Sequence, residues 1–486
     1  MSIPIHRNNI LFTPDTSRVI ARFFIPRDLS RSRGIINQVM ELSEKDVYST
    51  LNTILKSFSH RHRNITYLFE RDYRLMVNLL DIEAPKHLSK NRQLLLGSFF
   101  TREYSIEAAA FFNPSIVMDP DQENLEEGET RVIISFRATG EGHISSIVFR
   151  NGIIDRDKML HLIPVNTFVD EYQEMHREAY DREIFVRKLK EIGIKDDIIS
   201  HISERLKSHF TYDQLHQCVK TCREKETLSD PMNLAINEML WLADAYYSLE
   251  FSYDTSLSER VLFPISKQEK NGIEDARFVL FVDDDGSKTY YATFTAYDGH
   301  AILPKILETK DFYRFKIRPL LGKGALNKGI ALFPRKINGR YVALSRIDGF
   351  NNYVMFSDSV QEWNNTKKID IKPYPWGLVQ TGNCGSPIET DRGWLVLIHG
   401  VGPMRQYCIG ALLLDLNDPS RVIARLQEPI IRANEQERNG YVPNVVYTCG
   451  ALLLDDTLVI PYGISDTAST SLTVSLQDIF HAMIPV

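Results

Sequence analysis

The chain has 486 residues, 43% hydrophobic and 25% charged, so its length points to two or three domains, or to one large domain with additions. Its net charge of −6 argues against nucleic acid or an anionic membrane as partner, because neither rewards an acidic surface. Apolar runs such as "AAAFF" and "ALLLD" stop well short of the roughly 20 residues of a membrane span, and the first residues lack a basic-then-apolar leader, so a cytoplasmic protein is expected.

Residues 1 to about 95 read as an N-terminal helical extension. Ser43 is placed to cap a helix whose Val47, Leu51, Ile54, Leu55 and Phe58 form one apolar stripe. That helix ends in Ser59-His60-Arg61-His62-Arg63, a run expected to be a solvated helix end, with phosphate binding as the weaker reading. A second helical stretch, about 157–250, reads as an insertion. In it Asp230-Pro231 is a good helix start, and Met232, Ala235, Met239, Leu242, Ala243 and Tyr246 make a packing stripe.

The cysteines are Cys218, Cys222, Cys384, Cys408 and Cys449, an odd and scattered set that argues against a disulfide framework. Cys218 and Cys222 with nearby His216 raise the question of a metal. No second ligand pair follows, so thiols without a metal are expected there.

The remainder reads as short strands and turns. Runs begin near Val132, Phe278, Ile330, Trp394 and Leu452, and several form hairpins, as in "RFVLFVDDDGSKTYYATFTAYDG", "GIALFPRKINGRYVALSRIDG" and "GSPIETDRGWLVLIHGV". Units of this kind predict a mainly β fold, a propeller of five blades over residues 96–486, with the helical segment inserted between blades. A β-sandwich accounts less well for the recurrence.

Loops at one end of a propeller converge, so polar clusters at strand ends are candidate site residues. Four stand out. Glu274-Asp275 with Arg277 offers a general acid, against a plain loop salt bridge. Tyr462 to Thr467 contains Asp466, placed to face sugar hydroxyls or to cap its own turn. His399 with Tyr407, and Lys328 with Arg346, offer donors and cations suited to phosphate, although each alone is more often structural. "GKGALNKG" lacks the Gly-Lys-Ser/Thr ending of a nucleotide phosphate loop.

Taken together, "FFNPSIV", "ISFRATG", "GIEDARF", "ALFPRKINGRYVALSR", "GSPIETDRGWLVLIHGV", "YCIGALLLDLNDPSRVIAR", "GYVPNVVYTCG" and "YGISDT" occur in the order of glycoside hydrolase family 130, which the chain resembles. The resemblance implies a five-bladed propeller acting on β-linked mannosides with inversion. It implies that Asp275 is the general acid, protonating the leaving oxygen through a mannose hydroxyl, and that Asn113, Arg137 and Asp466 hold the mannose. The family's proline after that aspartate is Ala276 here.

The phosphate-binding positions of the family's phosphorylases fall on Lys328, Arg346, Gln380, His399 and Tyr407. Gln380 stands where lysine is usual, and Ser345 replaces a common histidine. Phosphorolysis needs this cationic pocket, whereas inverting hydrolysis needs a carboxylate base facing the acid. The favoured expectation is an inverting β-mannoside phosphorylase with inorganic phosphate as co-substrate, manno-oligosaccharide as partner, and no metal or organic cofactor. A β-mannosidase using Glu389, Glu435 or Glu437 as base is the first rival, and a non-catalytic sugar-binding propeller the second. The helical extension and insertion are expected to serve a homo-oligomer contact or to wall the acceptor end of the pocket.

Overall fold

The computed structural model describes residues 3–81, 88–372 and 374–486; Met1, Ser2 and residues 82–87 of the extension lie outside them. The β-branched and aromatic runs fold as antiparallel meanders. Among the described residues, five sheets hold four or more strands each.

The first sheet is built on Ala110–Met118, Thr130–Thr139 and Ser145–Ile154. The second runs Ile273–Val282, Lys288–Tyr297, Ile302–Thr309 and Arg314–Pro319. Asp283 to Gly286 turns its first hairpin, with Gly286 at φ 81° supplying the left-handed residue the turn needs. The third sheet runs from Ala331–Leu332 to Asn365–Lys368. The fourth centres on Gly393–Val401 and Tyr407–Leu414, and the fifth on Thr457–Ile464 and Ala468–Ser475. The chain ends are exchanged between sheets: His6–Arg7 pairs with Ala468–Ser475, and Met483–Pro485 joins the fourth sheet.

The apolar cores lie between sheets. Phe149 of the first sheet meets Phe278 of the second, ring centroids 5.9 Å apart. Phe281 and Ile306 pack on Leu332 and Met355 of the third. Val342 and Leu344 pack on Trp394 and Val396 of the fourth. Leu397 and Ile409 pack on Ile460 and Tyr462 of the fifth. Val459 of the fifth then packs with Phe111 and Ile116 of the first. Each sheet is thus covered on both faces, and in strands such as "GWLVLIHGV" every residue is buried, so apart from His399 the run carries no polar side chain beyond the Trp394 indole. Each such Leu, Ile or Phe contributes roughly 1.5–3 kcal/mol by burial.

Eight helices form two groups beside these sheets. Helices α1 (Leu29–Glu41), α2 (Glu44–Phe58), α3 (Ile65–Leu80) and α4 (Lys90–Phe99) share one core. Ser43 caps α2 by accepting from the Asp46 amide at 3.2 Å, and Val47 and Leu51 are buried, as their spacing predicts. Before α1 the chain is extended, Val19–Phe23 pairing with Thr101–Ser105, so the first 95 residues are not helical throughout. The basic run after α2 is not a solvated helix end. Arg61 and His62 both bond Glu103, at 2.7 and 2.9 Å, and Arg63 pairs with Asp170 and Glu259. Those carboxylates lie far along the chain, so the run clamps the helices onto the β-rich part.

Helices α5 (Arg182–Glu191), α6 (Asp196–Ser203), α7 (Tyr212–Lys225) and α8 (Asp230–Ala243) enclose a separate core around Phe185, Ile199, Leu215 and Ile236. Strands Glu174–Arg177 and Tyr247–Glu250 on either side of them extend the second sheet. A short helix, α9 (Leu476–Ala482), follows the fifth sheet.

Candidate active site

Four left-handed residues, at three places in the chain, bring the polar residues together. Asn113 (φ 50°) sits where the register slips between Phe112 and Ser115. Asp275 (φ 56°) sits at the equivalent slip between Glu274 and Arg277. Ser465 and Asp466 (φ 46° and 51°) turn the hairpin of the fifth sheet. Such bulges re-aim a side chain out of the pleat, and Asn and Asp tolerate the left-handed region better than most residues. The cost, of order 1–3 kcal/mol each, is borne where the surroundings fix the geometry.

The result is a tight cluster. Asn113 Nδ2 donates to Asp275 Oδ1 at 2.7 Å. Arg137 reaches both acids of the pair, Asp275 at 3.3 Å and Glu274 at 3.0 Å. The Arg137, Glu274 and Asp275 side chains keep only 21%, 13% and 18% exposure, so the cluster is deep but open to a ligand. Burial alone would raise the Asp275 carboxyl. Arg137, Arg277, the Asn113 amide and Lys328 outweigh it and hold the group below the usual carboxylate range. Asp466 moves the other way: burial, then the negative charge of Asp275, push it up to about 6 against the pull of Arg137.

A second cluster lies next to the first. Arg346 Nη1 donates to His399 Nε2 at 3.2 Å, Gln380 Nε2 lies 3.4 Å from the same nitrogen, and the Tyr407 ring stacks on the imidazole. Burial, then the charges of Arg346 and Arg277, push His399 down to about 3, so it is a neutral imidazole at ordinary pH. Gly382 is required beside it, since a Cβ there would meet His399 Cε1 at 2.5 Å.

Glu274 ties Lys328 to the first cluster, and Arg277 joins the two clusters. Glu274 accepts from Arg137 on one side and from Lys328 Nζ, at 2.5 Å, on the other. Arg277 donates to the Asp275 carbonyl at 3.0 Å and to the Tyr447 hydroxyl at 2.9 Å, and the Tyr447 ring tilts against His399. Among the described residues, Asn113 Oδ1, Arg137 Nε and Arg346 Nε are buried and unpaired, leaving polar atoms for a ligand to satisfy.

Eight of the nine expected site residues fall into two adjoining groups, Asn113, Arg137, Asp275 and Asp466 in one and Arg346, Gln380, His399 and Tyr407 in the other, and the ninth, Lys328, is bound to Glu274 beside the first. The sequence reading missed the linking roles of Glu274, Arg277 and Tyr447. Their signal was present, since the first two flank Asp275 and the third lies in "GYVPNVVYTCG". The proposed hydrolytic bases are placed differently. Glu389 pairs with Arg335 at the surface, Glu437 is held by Arg7 and Tyr462, and Glu435 is exposed. A hollow of about 830 Å³ also lies against α3, lined by Tyr67, Arg71, Asp170 and Glu171, but its Arg71 and Asp170 are paired with Asp72 and Arg63.

Comparison with known proteins identifies the family of the chain. A glycoside hydrolase family 130 model, described as β-1,4-mannooligosaccharide phosphorylase, matches residues 240–484, just over half the chain. The chain belongs to that family. The matched segment includes Asp275, Asp466 and the second cluster, while Asn113 and Arg137 precede it. A β-1,2-mannobiose phosphorylase of Listeria innocua is 32% identical over 46% of this chain and 63% of its own length. A 1,2-β-oligomannan phosphorylase of Thermoanaerobacter sp. is 36% identical over 46% of this chain and 75% of its own. The match to the Listeria enzyme thus spans less than two thirds of that protein. A solved structure of a Listeria innocua β-1,2-mannobiose phosphorylase with β-1,2-mannobiose aligns over 83% of this chain and 95% of its own, at 23% identity and TM-score 0.45, too distant a likeness to build on.

Proposed function

We propose that the chain is an inverting β-mannoside phosphorylase on a five-bladed propeller, converting a manno-oligosaccharide and phosphate to α-mannose 1-phosphate and a shortened sugar. The observation that carries this reading is the junction of the two clusters at Arg277, which bonds the Asp275 carbonyl on one side and, on the other, the Tyr447 hydroxyl whose ring lies against His399, so that the acid stands beside a set of cations and neutral donors. The propeller is supported by the cyclic order of the cores, in which the fifth sheet packs back on the first.

The division of labour follows from charge. Asn113, Arg137 and Asp466 hold the mannose, whose hydroxyls satisfy the open polar atoms around Asp275. Arg346, Lys328, Gln380, His399 and Tyr407 hold phosphate, His399 and Tyr407 as neutral donors. Asp275 is kept ionised by Arg137 and Arg277, with Lys328 adding to them. A bound phosphate dianion offsets Lys328, weakens its part of that hold on Asp275, and raises the affinity of Asp275 for the proton that it passes to the leaving oxygen through a mannose hydroxyl. Phosphate attacks the opposite face of the anomeric carbon, so no carboxylate base is needed, in keeping with Glu389 and Glu437 being committed elsewhere.

The relatives are named for 1,2-linked substrates and the family description for 1,4-linked ones, so both linkages are candidates. Proton and phosphorus NMR of the reaction mixture tests the stereochemistry. Accumulation of the α-anomer of mannose 1-phosphate from a β-mannoside is expected. The β-anomer as first product would contradict an inverting single displacement.

A further inference from the structure

The helical insertion carries a cluster that mannoside chemistry does not use. His201 on α6, Cys222 on α7 and Glu226 at the end of α7 offer ligand atoms that all lie within 4.8 Å of one another. His201 Nε2 is 2.9 Å from a Glu226 carboxylate oxygen. Cys218 lies one turn before Cys222 on the same helix. The spacing explains the gathering: residues 218, 222 and 226 recur every four positions and so share one face of α7, against which α6 sets His201. His216, the nearby histidine in sequence, instead stacks on Tyr212.

We propose that His201, Cys222 and Glu226 form a zinc site that clips α6 to α7, with a water as the fourth ligand. Thiolate, imidazole and carboxylate bind Zn²⁺ at about 2.0–2.3 Å in a tetrahedron, which sets neighbouring ligand atoms roughly 3.5 Å apart. A small contraction of the observed cluster reaches that arrangement. The position already attracts positive charge: Arg205 places Nη1 2.6 Å from Cys222 Sγ and Nη2 2.9 Å from Glu226. Its side chain is 41% exposed, so it can turn into solvent as the ion enters. The group α5–α8 has a core of its own, and a metal held between α6 and α7 would cross-link two of its helices.

The test uses the full chain, exposed to Zn²⁺ and then desalted. Elemental analysis should find a single tightly held zinc per chain. Substituting Co²⁺ should give the visible bands of a tetrahedral ion and a thiolate charge-transfer band. Cys222→Ser and His201→Ala should lose both signals, and His216→Ala should keep them. Should either core variant fail to fold, Glu226→Gln at the exposed helix end should weaken zinc retention about 10–100-fold. Wild-type chain without retained zinc, Co²⁺ without a thiolate band, or zinc that survives Glu226→Gln undiminished would each overturn the proposal.

Discussion

Asn113 and Asp275, 162 residues apart in the chain, meet through a 2.7 Å hydrogen bond while both hold left-handed backbone conformations. Backbone and side chain are separable at Asn113. Asn113→Ala keeps a Cβ at φ 50° and should cost about 1–2 kcal/mol in denaturant unfolding. Asn113→Gly relieves that strain and should unfold closer to wild type. Both lose the amide that holds Asp275, so both should lose activity. Equal stability losses would contradict the strain argument.

Asp275→Asn keeps the shape of the cluster and removes its transferable proton. Turnover should fall by roughly 10²–10⁴-fold, while calorimetry still detects manno-oligosaccharide binding. Wild-type turnover in this variant would assign the acid elsewhere, and loss of binding with loss of turnover would make Asp275 a structural residue.

Asp466 carries a pH signature. Its carboxyl rises from 3.8 to about 6 in the fold, so the folded chain holds a proton that the unfolded chain has released between those values. Stability from this group is therefore full below about pH 4 and is lost as pH rises through about 6. Asp466→Asn removes the penalty. In ligand-free protein its stability relative to wild type should grow from near zero at pH 4 to a plateau above pH 6, of at most about 3 kcal/mol. A pH-independent difference in urea unfolding would contradict the assignment.

Gly382→Ala probes the phosphate end without touching a proposed ligand. The new Cβ would lie 2.5 Å from His399 Cε1 and 3.2 Å from Arg346 Nη1, so the imidazole must shift. The KM for phosphate should rise about tenfold or more, with binding of the mannoside little changed. An unchanged phosphate KM would remove His399 and Arg346 from the phosphate site.

Much of this was legible in the sequence because it is local. Hairpins such as residues 277–299 announce themselves by β-rich apolar runs on either side of an Asp-Gly turn, and the Ser43 cap by its spacing to the Val47 stripe. The candidate residues came from short motifs at strand ends. What could not be read was long-range. Glu274 ties Arg137 to Lys328 across 137 and 54 residues, and no local pattern encodes that choice of partners. His62 and Arg61 looked like a solvated helix end because their partner Glu103 lies two elements away. The pairing of His6–Arg7 with Ala468–Ser475 spans nearly the whole sequence, and the propensity of those two residues does not encode it.

The central claim is that the two clusters form one site that uses phosphate in place of water. Product analysis on β-1,2- and β-1,4-linked manno-oligosaccharides, with and without inorganic phosphate, tests it most directly. The account predicts mannose 1-phosphate, released only when phosphate is present and lost on Arg346→Ala. Free mannose formed at the same rate in phosphate-free buffer would contradict it.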